Sequence, residues 1–222
     1  MKSVKILTMG LCMLAISGCA TKTGTGTLVG AGAGTVLGGI IGKVSGNTAV
    51  GAAIGGAVGA GAGALIGKHM DKVAAETAAQ VENAKVEEVT DANGLKAVKV
   101  TFDSGILFGT NQSTLNSASK NELAKFSNVL KNNSNCHIDI YGYTDRSGND
   151  AINIPLSQKR AQSVANYLSS CGVSGAQMQK VVGKGSQDEI ENKRVSQVNR
   201  RVEVYLYASQ AMIDAANAGT LN

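Results

Sequence analysis

The chain has 222 residues, of which 43% are hydrophobic and 4% aromatic, enough for one ordinary hydrophobic core and additional segments. Its formal net charge is +5, and loss of a leader that contains Lys2 and Lys5 would reduce this to about +3. This weak, dispersed charge, without a basic stripe interleaved with aromatic residues, argues against a nucleic-acid-binding protein.

Residues 1–18 have the features of a lipoprotein signal peptide. Two lysines precede an apolar run over residues 6–16, and a small residue, Gly18, stands before Cys19. We expect cleavage before Cys19 and lipidation of its thiol. An ordinary secretory signal followed by a chance cysteine is the alternative. Because Ala20 follows, rather than the aspartate that usually retains lipoproteins in the inner membrane, the expected location is the outer membrane.

Residues 19–68 are dominated by glycine, alanine and branched aliphatic residues. The glycines recur at intervals of four, in the runs Gly30, Gly34, Gly38, Gly42 and Gly51, Gly55, Gly59, Gly63, Gly67. Each run predicts a helix with a glycine stripe, and the pair predicts a closely packed glycine-zipper helical hairpin. A flexible linker is the alternative, although glycine-serine linkers lack the interleaved aliphatic residues found here. Each helix would be about 25 Å long, slightly short of the ~30 Å membrane core, so an inserted and a soluble hairpin both remain open.

Residues 69–84 predict a short amphipathic helix that links the hairpin to a C-terminal domain. Met70, Val73, Thr77 and Val81 share one side of this helix. An irregular linker is the alternative.

Residues 85–208 contain the pattern of one domain. Two strands, 86–90 and 95–102, flank an Asn93-Gly94 turn. A helix follows over 117–131, with Ser119 and Glu122 spaced as a capping box. The remaining elements are expected at residues 136–143 (strand), 156–171 (helix), 179–183 (strand) and 201–207 (strand). From the second strand onward the order is β-α-β-α-β-β, which predicts an α/β (α+β) two-layer sandwich with helices on one face of a mixed sheet. The C-terminal tail, residues 209–222, could add a terminal helix.

Two cysteines, Cys136 and Cys171, remain for this domain once Cys12 leaves with the signal and Cys19 is lipidated. In an oxidising periplasm, two remaining thiols favour a disulfide. Cys136 begins a strand and Cys171 ends a helix that should run back antiparallel to it, so both should lie at the same end of the layer. Two buried free thiols are the alternative.

The loop over residues 142–148 joins the predicted strand 136–143 to the predicted helix 156–171 and carries an acid, Asp145. In such a crossover the helix N-terminus points back at the loop, and Arg160 is expected about one turn into the helix. Asp145 could then bind an amine while Arg160 clamps a carboxylate of the same small zwitterion. The alternative is a direct Asp145–Arg160 ion pair that staples the loop to the helix.

The pattern TD-xx-G-xxxx-N-xx-LS-xx-RA over residues 144–161 closely resembles the peptidoglycan-binding signature of OmpA-like C-terminal domains. The likeness extends over roughly residues 98–207 and includes the Asn-Arg-Arg-Val-Glu segment at 199–203. The resemblance implies that Asp145 and Arg160 hold the diaminopimelate of the stem peptide. The other site residues that it implies are Thr144, Gly148, Asn153, Leu156, Ser157 and Arg201.

These features predict a non-enzymatic tether, with its lipid in the outer membrane and its OmpA-like domain on peptidoglycan in the periplasm. A second hypothesis is an ion-conducting motor stator, but its membrane segment would need an ionisable carboxylate, and residues 24–67 contain none. A third is an oligomeric membrane assembly or pore formed by the glycine zipper, with the domain as its wall anchor. No nucleophile–base pattern or metal-ligand cluster is visible in the sequence, so we expect no catalysis, metal or cofactor.

Overall fold

The computed structural model describes residues 58–109 and 111–221, which contain a mixed sheet with helices packed on it. In chain order the elements are α1 (Ala60–Gln80), β1 (Ala84–Thr90), β2 (Lys96–Asp103), the single turn α2 (Ser104–Leu107), α3 (Ser117–Asn132), β3 (Cys136–Gly142), α4 (Asp150–Ser170), a 3-10 turn (Gly175–Gln177), β4 (Met178–Gly183), β5 (Arg201–Ala208) and α5 (Gln210–Asn217). The five strands lie in the order β1-β2-β5-β3-β4. Only the β3–β4 pair is parallel among them. The predicted two-layer sandwich is therefore confirmed.

The strands alternate their side chains between two chemically different faces. On the helix-covered face, β5 contributes Val204 and Leu206 to the main core. The other face carries tyrosines and charged residues, with the Tyr141 and Tyr207 hydroxyls donating hydrogen bonds to Asp139 at 3.1 and 3.0 Å. One face thus supplies apolar burial, while the other is held by polar contacts.

The β1–β2 hairpin forms at the predicted turn. Gly94 has a φ of 77°, in the left-handed region that glycine adopts without strain. The carboxylate of Asp91 accepts hydrogen bonds from the backbone N–H groups of Asn93 and Leu95, both at 2.8 Å. An Asx-type turn therefore fixes the register of the two strands.

Helix α3 begins where predicted, but its cap is different. The side chain of Asn116 accepts a hydrogen bond from the Ser119 backbone N–H at 2.8 Å, so Asn116 is the N-cap. Glu122 instead accepts from the backbone N–H groups of Glu82 and Asn83, at 3.0 and 3.3 Å. The predicted capping box is wrong because Glu122 connects α3 to the turn between α1 and β1.

Helix α1 is part of the domain core. It runs without a break from Ala60 to Gln80, across the predicted boundary at residue 68. Ile66, Met70 and Val73 are fully buried in the main core, and the helix packs against β1, β2, α3 and α5. The amphipathic helix predicted over residues 69–84 is present as the C-terminal part of α1, but it packs in the domain core instead of acting as a spacer. The sequence showed the apolar side of this helix but not the surface that it covers.

The signal peptide, Cys19 and most of the predicted hairpin lie outside the described residues. Within the described part, Gly63 and Gly67 lie on α1 and face open space, since a Cβ added at either position would meet no atom within 4 Å. Across residues 58–109 and 111–221, none of the helices combines the length and apolarity needed to span a membrane.

Cys136 and Cys171 are both free thiols, so the predicted disulfide is wrong. Cys136 is buried with its Sγ 4.0 Å from the Sδ of Met70, and burial raises the pKa of this thiol to about 12. Cys171 is only half-buried, at the C-terminal end of α4. Chain direction suggested that the two residues share one end of the layer, but it could not show that the Cys136 side chain points into the core.

Replacement of Ile66 by alanine tests whether α1 belongs to the folding unit. Because Ile66 is 0% exposed, we expect the Ile66→Ala change to lower the free energy of unfolding by about 2–5 kcal/mol. Leu65→Ala is the matched control, since this neighbour on the same helix is 37% exposed. Chemical denaturation measures both variants, and equal stabilities would contradict the packing of α1 in the core.

Candidate ligand-binding site

Helix α4 begins six residues before its predicted start, at Asp150 instead of residue 156. Asn149 is its N-cap, and its side chain accepts a hydrogen bond from the Ile152 backbone N–H at 3.2 Å. Arg160 therefore lies roughly three turns into the helix, rather than one. The prediction that Arg160 lies about one turn into the helix is therefore wrong.

Two glycines allow α4 to lie directly against the ends of β3 and β4. A Cβ on Gly142 would be 2.3 Å from the carbonyl oxygen of Ser157, and one on Gly183 would be 2.2 Å from the backbone nitrogen of Gln158. The Gln158 side chain also accepts a hydrogen bond from the Gly183 N–H at 2.7 Å, and the Ser157 hydroxyl accepts one from the Gly185 N–H at 2.9 Å. Ser157, predicted as a ligand residue, thus holds the helix against the sheet.

Asp145 is the centre of the loop between β3 and α4. Its side chain is 2% exposed. One carboxylate oxygen accepts from the backbone N–H and hydroxyl of Ser147, at 3.1 and 2.5 Å. The other accepts from the Ser196 backbone N–H at 3.2 Å and from Nη1 of Arg200 at 2.5 Å. Four donors therefore converge on this carboxylate from two different loops.

These contacts keep Asp145 ionised. Burial alone would raise the pKa of this carboxyl, but the hydrogen bonds from Ser147, Arg200 and Ser196 outweigh burial and hold the pKa below its ordinary value. The loop therefore presents a fixed negative charge at neutral pH.

Arg160 is buried at 4% exposure, yet its guanidinium makes only one hydrogen bond within the described part of the chain. Its Nε donates to the carbonyl oxygen of Gln112 at 2.9 Å, and the guanidinium lies 5.3 Å from the ring centroid of Phe108. Burial and the charge of Arg200 lower the pKa of Arg160, whereas the charge of Asp145 raises it. The three charged groups therefore share one electrostatic environment.

Asp145 and Arg160 make no direct ion pair in the structure; the cation that contacts Asp145 is Arg200. The alternative prediction of an Asp145–Arg160 staple is therefore wrong. Arg200 was missed at the sequence level, although it lies in the segment that carried the family likeness. The alternation of side chains along a strand could have identified it. Arg201 is the first residue of β5 and Arg200 precedes it, so their side chains point in different directions.

Arg201, predicted as a ligand residue, lies in a separate cluster on the tyrosine-bearing face of the sheet. Its Nε donates to Glu203 at 2.7 Å, and its guanidinium carbon is 3.8 Å from the ring centroid of Tyr143. Its Nη2 donates to the carbonyl oxygen of Asp188 at 2.9 Å. Each nitrogen of this guanidinium has an internal acceptor, so Arg201 acts on the fold rather than at Asp145.

The remaining predicted residues surround the Asp145 loop. Asn153 donates to the backbone carbonyl of Asp145 at 3.1 Å, and its side chain leaves no room for a Cβ on Gly148, which would lie 2.7 Å away. Thr144 is buried, and its hydroxyl lacks a hydrogen-bond partner among the described residues. Leu156 is half-buried on α4. Asn153 and Gly148 therefore shape the loop, while the Thr144 hydroxyl and Arg160 retain unused hydrogen-bonding capacity.

Two family models match different parts of this sequence. Residues 107–203 match the model described as the OmpA family, and residues 1–71 match the model described as a YMGG-like Gly-zipper. The first match contains Asp145, Arg160 and Arg200, and the second ends within α1.

Curated relatives resemble about half of the chain. The peptidoglycan-binding protein ArfA of Mycobacterium tuberculosis (strain ATCC 25618 / H37Rv) is 36% identical over 111 residues, which are 49% of this chain and 34% of that protein. The "probable lipoprotein YiaD" of Escherichia coli (strain K12) is 31% identical over 135 residues, or 57% of this chain and 61% of that protein. The chain thus spans about a third of the first relative and under two thirds of the second.

The periplasmic domain of Helicobacter pylori MotB has a similar solved structure. It aligns with a TM-score of 0.51 and 18% identity, over 62% of this chain and 90% of that one. At this level of identity, the likeness shows the fold alone.

Gly142→Ala tests the close approach that positions the site. The new methyl group would meet the α4 backbone at Ser157, which cannot move aside as a flexible side chain would. We expect a loss of about 1–3 kcal/mol in the free energy of unfolding. Gly175→Ala is the control because its Cβ would meet nothing within 4 Å. Thermal or chemical denaturation that leaves both variants equally stable would refute this role for Gly142.

Proposed function

We propose that the chain is a non-enzymatic lipoprotein that tethers the outer membrane to peptidoglycan, because residues 107–203 match the OmpA family model. The similarity to ArfA, which is named as a peptidoglycan-binding protein, supports the wall-binding part of this proposal. The similarity to YiaD, named as a probable lipoprotein, supports the anchored form.

The proposed ligand is the diaminopimelate of the stem peptide, and the state of Arg160 is the observation that carries this assignment. A buried guanidinium without an acid partner is costly, so the site is completed by an anion from outside the protein. The ionised Asp145 nearby suits a cation. A diaminopimelate side chain ends in an ammonium and a carboxylate on one carbon and can satisfy both, with Arg160 clamping the carboxylate through its planar fork.

The proposed anchor is a lipid on Cys19, which would leave residues 85–208 in the periplasm. A chain with two or three acyl groups is held far more firmly than one with a single group, at ~0.8 kcal/mol per buried CH₂. The domain could then reach the wall while its N-terminus stays in the outer membrane.

An oligomeric membrane assembly or pore with the domain as wall anchor is the second candidate. The Gly-zipper match over residues 1–71 and the open surface beside Gly63 and Gly67 favour it. Close helix–helix packing uses such small residues. Crosslinking in intact membranes would distinguish the two candidates, because a simple tether gives monomers and an assembly gives a fixed larger number of subunits.

Substitutions at Arg160 test wall binding directly. Arg160→Ala should abolish co-sedimentation of the full chain with purified peptidoglycan, because loss of the carboxylate clamp would cost about 2–4 kcal/mol of binding free energy. Arg160→Lys keeps the charge but loses the planar fork, so binding should also fall substantially. Asp145→Ala should abolish binding as well, with some loss of stability because four donors lose their acceptor.

Lys159→Ala is the matched control for these variants, because it removes a positive charge from an exposed neighbour on the same helix. It should sediment like the wild type. Arg160→Ala protein that still sediments fully while its melting temperature falls would contradict the ligand assignment.

Metabolic labelling with a fatty-acid analogue tests the anchor. The wild-type chain should incorporate the label and Cys19→Ala should not, because the thiol is the only proposed point of acylation. A labelled Cys19→Ala protein would disprove lipidation at this residue.

A further inference from the structure

Asp145 has no free acceptor position in the structure. A carboxylate offers about four lone-pair sites, and Ser147, Ser196 and Arg200 already supply four donors. A ligand ammonium can therefore reach this carboxylate only if one of these donors leaves.

Arg200 is the donor that can leave most easily. The contacts from Ser147 and Ser196 include backbone N–H groups that are fixed by the loops. Arg200 has a long side chain that is 32% exposed, and its other terminal nitrogen contacts Gln197, which in turn donates to Asp103 at 2.5 Å. Rotation of this side chain needs no change in the backbone.

The released guanidinium would lie near a second one. Both arginines lie against the segment between β2 and α3, since Arg160 Nε donates to the carbonyl oxygen of Gln112 and the carbonyl oxygen of Arg200 accepts from the Ser104 N–H at 2.8 Å. Burial, and after it the charge of Arg200, lower the pKa of Arg160. With Asp145 they form a group of two cations and one anion, which leaves one uncompensated positive charge. A carboxylate placed between the two guanidiniums would remove this repulsion and use the free donors of both.

We propose that Arg200 is a specificity-determining residue. When the ligand binds, the Arg200–Asp145 ion pair breaks, Asp145 binds the ligand's ammonium, and Arg200 binds the ligand's carboxylate together with Arg160. This inference rests on the proposed function and adds a chemical selectivity to it. A stem peptide with a free carboxylate beside its ammonium fits the site. When that carboxylate is amidated, the peptide keeps its ammonium but has no negative charge to place between the two guanidiniums. The amidated peptide therefore binds more weakly.

The test uses two synthetic probes and calorimetric titration of the full chain in detergent. Both are tetrapeptides of L-alanine, γ-D-glutamate, meso-diaminopimelate and D-alanine, and they differ only in amidation of the free diaminopimelate carboxylate. The wild type should bind the free acid roughly tenfold or more tightly than the amide. In Arg200→Gln, affinity for the free acid should fall about tenfold, whereas affinity for the amide should stay the same or rise, because the ammonium no longer competes with a guanidinium.

Two further variants separate recognition from folding. Arg146→Gln is the matched control, because Arg146 lies in the same loop but pairs with Glu189 and Asn192 instead of Asp145; it should keep the wild-type preference. Arg200→Lys keeps the ion pair with Asp145 and should give an intermediate preference. Melting temperatures of all variants show whether each one is folded.

Each outcome is decisive. An Arg200→Gln protein with the wild-type preference, or with both affinities lowered by the same factor, would overturn the role of Arg200 while leaving wall binding intact. A wild-type protein that binds neither probe would overturn both the proposed function and this inference.

Discussion

The contact between α4 and the ends of β3 and β4 is the constraint on which the site depends. Gly142 and Gly183 leave the helix backbone close enough for Ser157 and Gln158 to bond to the sheet edge. This contact sets the height of α4 above the sheet and therefore the position of Arg160 relative to the Asp145 loop. A side chain at either glycine would push the helix outward, and a displacement of about 1 Å is enough to disrupt a paired charge site.

The site keeps its charges only partly compensated. Asp145 is fully hydrogen-bonded and ionised, whereas Arg160 is buried with a single hydrogen bond to the carbonyl of Gln112. A fold selected for stability alone would pair or remove such a guanidinium. Burying Arg160 without an acid partner lowers the stability of the free protein. Binding sites retain such unfavourable groups because a bound ligand can pair with them. Arg200 neutralises Asp145 in the free protein but adds a second positive charge near Arg160.

Helix α1 contains the last glycines of the glycine-rich segment and also packs in the domain core. Its residues Gly63 and Gly67 belong to the four-residue glycine repeat, while Ile66 and Met70 are buried in the domain core. One rigid helix therefore carries both patterns. A pulling force applied at the start of α1 would be transmitted to the sheet through the buried side chains of this helix, which suits a proposed link between a membrane and a wall.

Local sequence patterns determined the elements and the principal charged residues, and tertiary packing determined how they are combined. The Gly94 turn and the strands β3 and β5 could be predicted because each depends on neighbours in the chain. The ligand roles of Asp145 and Arg160 stay predictions that rest on the family resemblance. The start of α4 could not, since Ile152 and Ile154 in its first turns are exposed at 58% and 43% and give no amphipathic pattern. The choice of Arg200 over Arg201, and the separation of Cys136 from Cys171, depend on side-chain direction in the packed sheet. Strand parity separates Arg200 from Arg201, but which side of the sheet packs against the helices follows from contacts between residues far apart in the chain.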